Sequence, residues 1–168
     1  MCSQNSKIRE IQFLNSEFLP EISKILDEGH TVTLKLRGRS MRPFLEDGRD
    51  KALIKKADDI HVGDAVLAET FKGVFVLHRI ISIDGDNVTL RGDGNLNTER
   101  CTRKDVKGTV VGFYRKGRPT LDSTDSMKWK VYSYLWTRLY PIRRYLLAFH
   151  RIIWLRIFPP KTSSTQKY

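Results

Sequence analysis

The chain has 168 residues, of which 40% are hydrophobic and 29% charged, which is enough to bury one sizeable core. This length predicts a single globular domain with appendages and argues against two independent folds. The formal net charge is +11, and much of it lies at the end of the chain, because residues 127–168 contain nine Lys or Arg and no Asp or Glu.

The first residues, MCSQNSKIREIQF, mix charged and polar side chains where a cleavable secretory signal would place an apolar stretch. No run of eighteen apolar residues free of charge occurs, so we expect no membrane-spanning helix. Cys2 and Cys101 show neither metal-site nor disulfide spacing, which favours a reducing compartment. We therefore expect a cytoplasmic or peripheral membrane location.

An N-terminal helical segment is predicted for residues 1–30. Between Ser16 and Gly29 the apolar residues recur with the spacing of an amphipathic helix, and Gly29 is placed to end it in a left-handed cap. The stripe consists of Phe18, Leu19, Ile22, Ile25 and Leu26.

A β-rich domain is predicted for residues 31–118, because short β-branched and aromatic runs alternate there with Gly and Asp. The segment Asp84-Gly85-Asp86-Asn87 has turn chemistry and predicts a hairpin between two of these runs. The predicted strands are Thr31–Leu36, Ala52–Ile54, Ala65–Glu69, Val74–Ile83, Asn87–Arg91 and Gly108–Tyr114.

The composition changes again after the β-rich domain. Residues 119–126 have the Pro, Ser, Thr and Asp content of a linker. Residues 127–158 predict two amphipathic helices, with Pro141 at the start of the second, and contain seven basic residues, no acidic ones and nine Trp, Tyr or Phe. Residues 159–168 are expected to be disordered.

One serine lies in a bend suited to a nucleophile. In GRSMRPFLEDGR, Ser40 follows a predicted strand and stands between Gly38, which permits tight backbone geometry, and Pro43, which stiffens the exit. Such bends are common, so the local sequence alone favours an ordinary turn. The motifs that follow change this interpretation.

Four motifs occur in order: GRSMRPFLEDG, VGDAVLAE, VLHRI and RGDGN. Together they resemble the successive motifs of the signal peptidases and the related LexA-like self-cleaving proteins, over about residues 31–114. The resemblance implies a mainly β fold, with a LexA- and signal-peptidase-like catalytic domain between the N-terminal helix and the C-terminal amphipathic helices. It also implies a serine endopeptidase that acts through an acyl-enzyme.

The resemblance assigns the nucleophile to Ser40, followed by Met41, and the general base to His78, followed by Arg79. Most bacterial members and the LexA-like proteins have Lys at the base position, whereas the endoplasmic-reticulum-type signal peptidases have His. A histidine there is chemically coherent, since neutral imidazole accepts a proton near pH 7 and a lysine must first be buried to do so.

Two acids are candidates for orienting the second ring nitrogen of His78. Asp93 lies in the GDGN motif and can equally be a turn residue that caps backbone amides. Glu99 lies six residues further on, where the family usually has Asp. The resemblance favours Glu99 slightly, and both acids are kept as candidates.

The oxyanion site departs from the signal-peptidase pattern, which has a hydroxyl residue two positions before the nucleophile. This chain has Gly38 there, as the LexA-like proteins do, so we expect backbone N–H groups, chiefly that of Ser40, to bind the oxyanion. Met41, Pro43 and Arg79 complete the predicted oxyanion and substrate-binding set. We expect no cofactor and no metal, because no His, Cys, Asp or Glu residues show ligand spacing.

The expected partners are a peptide or protein substrate and, through residues 127–158, an anionic membrane surface. Packing of this segment on the β-rich domain or on a protein partner is the alternative. A catalytically silent membrane-surface or scaffolding module with the same fold is the second functional hypothesis. A LexA-like DNA-linked regulator is the weakest, and nucleic acid is disfavoured, because about 30 residues before the domain are too few for a helix-turn-helix module.

Overall fold

The computed structural model of the protein describes residues 15–157, so the predictions for residues 1–14 and the disorder predicted for 159–168 lie outside the described part. Helix α1 spans Asn15–Asp27. It ends as the sequence predicts, since Gly29 has φ +85° and its N–H donates to the Leu26 carbonyl at 3.0 Å, while His30 N donates to Ile25 O at 3.2 Å.

The centre of the molecule is a single antiparallel sheet of eight strands, so the prediction of a mainly β fold is confirmed. The order across the sheet is β1-β2-β7-β3-β4-β5-β6, and β8 pairs with β7 beside this path. The strands are β1 Val32–Lys35, β2 Lys51–Lys56, β3 Ala65–Phe71, β4 Val74–Asp84, β5 Asn87–Arg91, β6 Glu99–Thr102, β7 Val106–Tyr114 and β8 Leu121–Ser123.

The predicted hairpin is present between β4 and β5, where Asp84 lies opposite Asn87. Gly85 occupies the turn with φ +57°, a value that side-chain-bearing residues rarely adopt. Strand β6 then pairs with β5, and a 3₁₀ turn at Arg103–Asp105 leads into β7. Strands β4, β5 and β6 are therefore consecutive neighbours in the sheet, so side chains from all three can meet on one face.

Two clusters of buried side chains hold the sheet. The larger cluster joins Ile22 and Leu26 of α1 to β2, β7 and Trp129. The smaller cluster is built around Ile60 and the inner residues of β3, β4 and β5. Because α1 contributes two side chains with 0% exposure, this helix is part of the domain core and not a detached appendage.

The segment predicted as a linker, residues 119–126, continues the sheet. It contains β8, in which Asp122 lies opposite Phe113 of β7. The polar, turn-rich composition of this segment did not predict β8, because a strand of three residues at the margin of a sheet needs little hydrophobic alternation. The β-rich domain therefore extends past residue 118.

The C-terminal residues form a helical unit, as their periodicity predicts. Helix α2 spans Met127–Arg138 and α3 spans Tyr140–Phe149, followed by a π-helical turn at His150–Trp154 and the short α4 at Leu155–Ile157. The N-cap of α2 is Ser126, whose hydroxyl accepts from Trp129 N at 3.3 Å. Within residues 15–157 no helix combines the length and the apolar character that crossing a bilayer requires.

Helix α2 packs on the β-rich domain through one face. Trp129, Ser133 and Trp136 are buried there. The ring of Trp129 lies edge-on to Phe44, with ring centres 4.9 Å apart, and 5.0 Å from the ring of Phe113. This face of α2 covers the chain just beyond Ser40, so the helix is part of the surroundings of the candidate site.

Candidate active site

The bend that carries Ser40 is closed by backbone hydrogen bonds between its two ends. Leu36 N donates to Asp50 O and Gly48 N donates to Leu36 O, each at 2.9 Å. The Asp50 side chain, with 0% exposure, accepts from Glu46 N at 2.9 Å. Burial opposes its charge, but hydrogen bonds from Arg49, Lys116 N and Glu46 N outweigh this and lower the pKa of Asp50. The loop is therefore held at its base by a buried carboxylate.

The residues after Ser40 anchor the bend in the core. Met41 and Leu45 are 6% and 3% exposed and belong to the larger core cluster, while Ser40 itself is half-buried. Pro43 follows a cis peptide bond, and Phe44 stacks on Tyr132 of α2. The Met41 side chain thus faces the protein interior, so a substrate contact there would come from its backbone.

The loop between β5 and β6 lies directly against this bend. Gly94 N donates to Ser40 O at 2.7 Å. A Cβ on Gly92 would lie 2.4 Å from Ser40 O and 3.0 Å from His78 Nε2, and a Cβ on Gly94 would lie 2.6 Å from Arg39 O. The glycines of the RGDGN motif are therefore needed for close approach, and Gly92 brings the Ser40 backbone and the imidazole to the same point.

The pairing of three strands carries Glu99 to the face of the sheet that His78 occupies. Ile80 lies opposite Leu90, and Leu90 lies opposite Glu99, so these three side chains are on the same face of the sheet. His78 is two residues before Ile80 on β4, so it is on that face too. Glu99 Oε2 lies 3.0 Å from His78 Nδ1. Because a carboxylate only accepts, Nδ1 carries the proton and Nε2, on the side of Gly92 and Ser40, is left as an acceptor.

The protonation of His78 reflects its burial. The residue is 3% exposed, and burial lowers the pKa of its ring, a shift that the charge and hydrogen bond of Glu99 and the charge of Asp93 only partly oppose. The neutral ring therefore predominates at neutral pH. A neutral imidazole with a free Nε2 is the form that can take a proton from a hydroxyl.

The other candidate acid, Asp93, has a different partner. Arg79 donates to both of its carboxylate oxygens, at 2.9 and 2.8 Å, and each side chain is 1% exposed. Burial disfavours the Arg79 charge, yet Asp93 outweighs it and the pKa of Arg79 is raised. Because Arg79 follows His78 along β4, it points to the opposite face of the sheet. The predicted substrate contact of Arg79 does not fit this enclosed ion pair.

Helix α2 surrounds the Arg79–Asp93 ion pair on its remaining side, and the sequence did not predict these contacts. Tyr132 donates its hydroxyl to Asp93 Oδ2 and Trp136 Nε1 donates to Asp93 O, each at 3.0 Å. Arg79 also donates to Ser133 Oγ, and its guanidinium lies 4.6 Å from the centre of the Trp129 ring. The only signal was the i, i+3, i+4, i+7 spacing of these four residues, which predicts a shared helix face but not what it covers.

The predicted oxyanion residue Gly38 has φ +91°, which explains the need for glycine. Its N–H donates to Asp47 Oδ1 at 3.0 Å and is therefore already engaged. The Ser40 N–H makes no hydrogen bond to a backbone carbonyl among the described residues. Across residues 15–157, no three His, Cys, Asp or Glu side chains lie close enough together to hold a metal ion.

The comparison with protein families agrees with this architecture. The family described as Peptidase S24-like matches residues 2–113, two thirds of the chain. The match includes α1, the Ser40 bend, His78, Asp93 and Glu99, and it ends before β8 and the C-terminal helices. The comparison with curated proteins finds no match to the chain.

Proposed function

Because this chain belongs to the Peptidase S24-like family, we propose that it is a serine endopeptidase with Ser40 as nucleophile, His78 as general base and Glu99 as the acid that orients the imidazole. The observation that carries this proposal is the 3.0 Å contact between Glu99 and His78 Nδ1, which leaves Nε2 on the side of the Ser40 bend. This contact supports the acid–histidine half of a serine–histidine–acid triad, and the proposal assigns Ser40 as its third member. The use of His makes the chain similar to the endoplasmic-reticulum-type signal peptidases.

The chemistry follows from these positions. The Ser40 hydroxyl attacks the scissile carbonyl carbon while Nε2 of His78 takes its proton, and Glu99 stabilises the resulting imidazolium. The oxyanion is bound by backbone N–H groups, of which that of Ser40 is the first candidate. The imidazolium then protonates the leaving amine, and water, activated by the same ring, hydrolyses the acyl-enzyme.

The substrate binds as an extended strand in this proposal. Strand β1 lies at one end of the sheet path and, within residues 15–157, pairs with β2 on one side only. It leads directly into the Ser40 bend, so a peptide added along its outer edge would run toward the nucleophile. Main-chain hydrogen bonds then provide affinity, and specificity comes from pockets for alternate side chains.

Asp93 and Arg79 have a structural role in this proposal, and Met41 and Pro43 hold the bend. A catalytically silent scaffold remains the rival hypothesis. It does not explain why a half-exposed glutamate should orient a buried, neutral histidine whose other nitrogen lies on the side of the Ser40 bend. The enzyme proposal requires that contact.

Labelling with a β-lactone probe tests the proposal, because attack by an activated serine hydroxyl opens the lactone ring and leaves the serine acylated. Ser40→Ala and His78→Ala should each reduce labelling by at least roughly 10³-fold. Ser82→Ala is the matched control, since Ser82 is exposed on the same strand as His78. Burial raises the pKa of the Cys101 thiol to about 11, so it should not compete for the probe. Undiminished labelling of Ser40→Ala would reject the assignment.

A further inference from the structure

The C-terminal helical unit, α2 to α4, exposes a large apolar surface even though α2 already packs on the domain. Among its described side chains, α3 buries only Arg143. Apolar side chains of this size and number are rarely left in water without a function. Those that are at least 44% exposed are Met127, Val131, Tyr134, Leu135, Tyr140, Ile142, Tyr145, Phe149, Ile152, Ile153 and Ile157.

Part of this surface is a continuous stripe. Ile142, Tyr145 and Phe149 follow one another in α3 at intervals of three and four residues, and they are 48%, 66% and 55% exposed. This spacing keeps them on one side of a helix. The stripe is therefore a face that could be buried in one step against a flat apolar layer.

The charge of the helical unit has one sign. Residues 127–157 contain seven Lys or Arg and no Asp or Glu. Lys128, Lys130, Arg138, Arg144, Arg151 and Arg156 are all exposed. An anionic lipid headgroup layer over hydrocarbon is negative throughout and apolar beneath, so it matches apolar, aromatic and cationic side chains together.

We propose that α2 to α4 bind the surface of an anionic lipid bilayer, with the exposed apolar side chains entering the headgroup and acyl boundary and the Lys and Arg side chains contacting the headgroups. This matches the general behaviour of interfacial amphipathic helices, whose binding combines apolar burial with electrostatic attraction. The family match ends at residue 113, so this surface belongs to the part of the chain that the family does not cover.

The bilayer-binding unit is joined to the candidate site by direct contacts. The buried face of α2 bonds to Asp93 through Tyr132 and Trp136. At the end of α3, burial and the charge of Arg42, which lies just beyond Ser40, lower the pKa of His150. Resting on the proposed function, this places the Ser40 bend beside the bilayer, so the substrate class would be peptides presented at a membrane surface.

Flotation of the full chain with vesicles tests the proposal. The chain should float with vesicles of phosphatidylcholine and phosphatidylglycerol in a 7:3 ratio, and not with phosphatidylcholine alone. Raising the salt from 50 to 500 mM should weaken binding by at least roughly 10-fold. Failure to float with anionic vesicles, or equal binding to both kinds, would overturn the proposal.

Paired variants separate the two contributions. Tyr145→Ser/Phe149→Ser should weaken partitioning by at least roughly 10-fold, because two aromatic anchors are lost. Phe71→Ser/Val74→Ser is the matched control, since Phe71 and Val74 are 75% and 49% exposed on the β3–β4 hairpin. The control should bind like the parent chain, and equal losses in both pairs would overturn the proposal.

A charge pair completes the test. Arg144→Glu/Arg151→Glu should lose binding. Lys72→Glu/Lys104→Glu should retain most of it, since these exposed residues belong to the β3–β4 turn and the 3₁₀ turn and not to the helical unit. If the chain instead forms a dimer that Tyr145→Ser/Phe149→Ser dissociates, and never floats, the face is a protein interface and the proposal fails. Because flotation requires no peptide cleavage, its outcome is separate from that of the labelling experiment.

Discussion

Replacing Asp93 by Asn separates a structural acid from a catalytic one. The substitution keeps the shape of the side chain but leaves the Arg79 guanidinium, 1% exposed, without its counter-charge. Removing one partner of a buried ion pair costs about 3–5 kcal/mol of folding free energy. For a chain of this length, 1 kcal/mol changes the melting temperature by about 2–4 °C, so a fall of roughly 6–20 °C is expected.

Glu99→Gln should have the opposite profile. The Glu99 side chain is 38% exposed, so solvent screens its contact with His78 and the loss of stability should stay within about 1 kcal/mol. Loss of the carboxylate removes the group that fixes the imidazole tautomer. The rate of probe acylation should fall by roughly 10²–10⁴-fold, at or below the loss seen for a buried triad acid.

Thermal unfolding and probe acylation, measured on both variants under the same conditions, distinguish the two roles. Asp93→Asn should lose stability and, below its melting temperature, retain most of its acylation rate. Glu99→Gln should keep its melting temperature and lose acylation. The reverse result, a stable Asp93→Asn protein without acylation beside an active Glu99→Gln protein, would refute this reasoning.

Three further outcomes are expected. Gly92→Ala should slow acylation of Ser40 by roughly 10²-fold, because its Cβ would lie 2.4 Å from Ser40 O and must displace the bend by about 1 Å; a thermal melt checks that the fold persists. Acylation should rise with pH as His78 loses its proton, with its midpoint below the ordinary histidine value of about 6.5, because burial lowers the pKa of His78; a midpoint above 7 would contradict this. The folded state lowers the pKa of Asp50, so its contribution to stability is present above about pH 4 and is lost as pH falls further. Urea unfolding should therefore show a larger acid loss of stability in the parent chain than in Asp50→Asn, where Asp105, whose pKa is also lowered, still contributes.

The elements with strong local signals could be predicted from the sequence. The α1 cap at Gly29 and the hairpin turn at Gly85 depend on backbone conformations that glycine adopts easily, so the residue type reveals them. Strand β6, Glu99–Thr102, was not predicted because its sequence, ERCT, has no apolar alternation. It is a strand because β5 pairs with it, and such tertiary pairing overrides local preference.

The choice between the two acids shows why the site could be predicted only in part. The family resemblance favours Glu99 over Asp93 only slightly, but the register of β4, β5 and β6 decides which carboxylate reaches the ring. The register puts Glu99 on the face of His78, and alternation along β4 turns Arg79 to the other face, where it takes Asp93. The sequence pattern did not predict β6, and without β6 the register that places Glu99 beside His78 could not be predicted.

The two faces of β4 carry two different groups of side chains. On one face His78 and Glu99 lie beside the Ser40 bend, and on the other Arg79 and Asp93 bind α2. Gly92 lies against the first face and the adjacent Asp93 belongs to the second. Through Asp93, α2 is therefore bonded to the same β5–β6 loop that lies against the Ser40 bend.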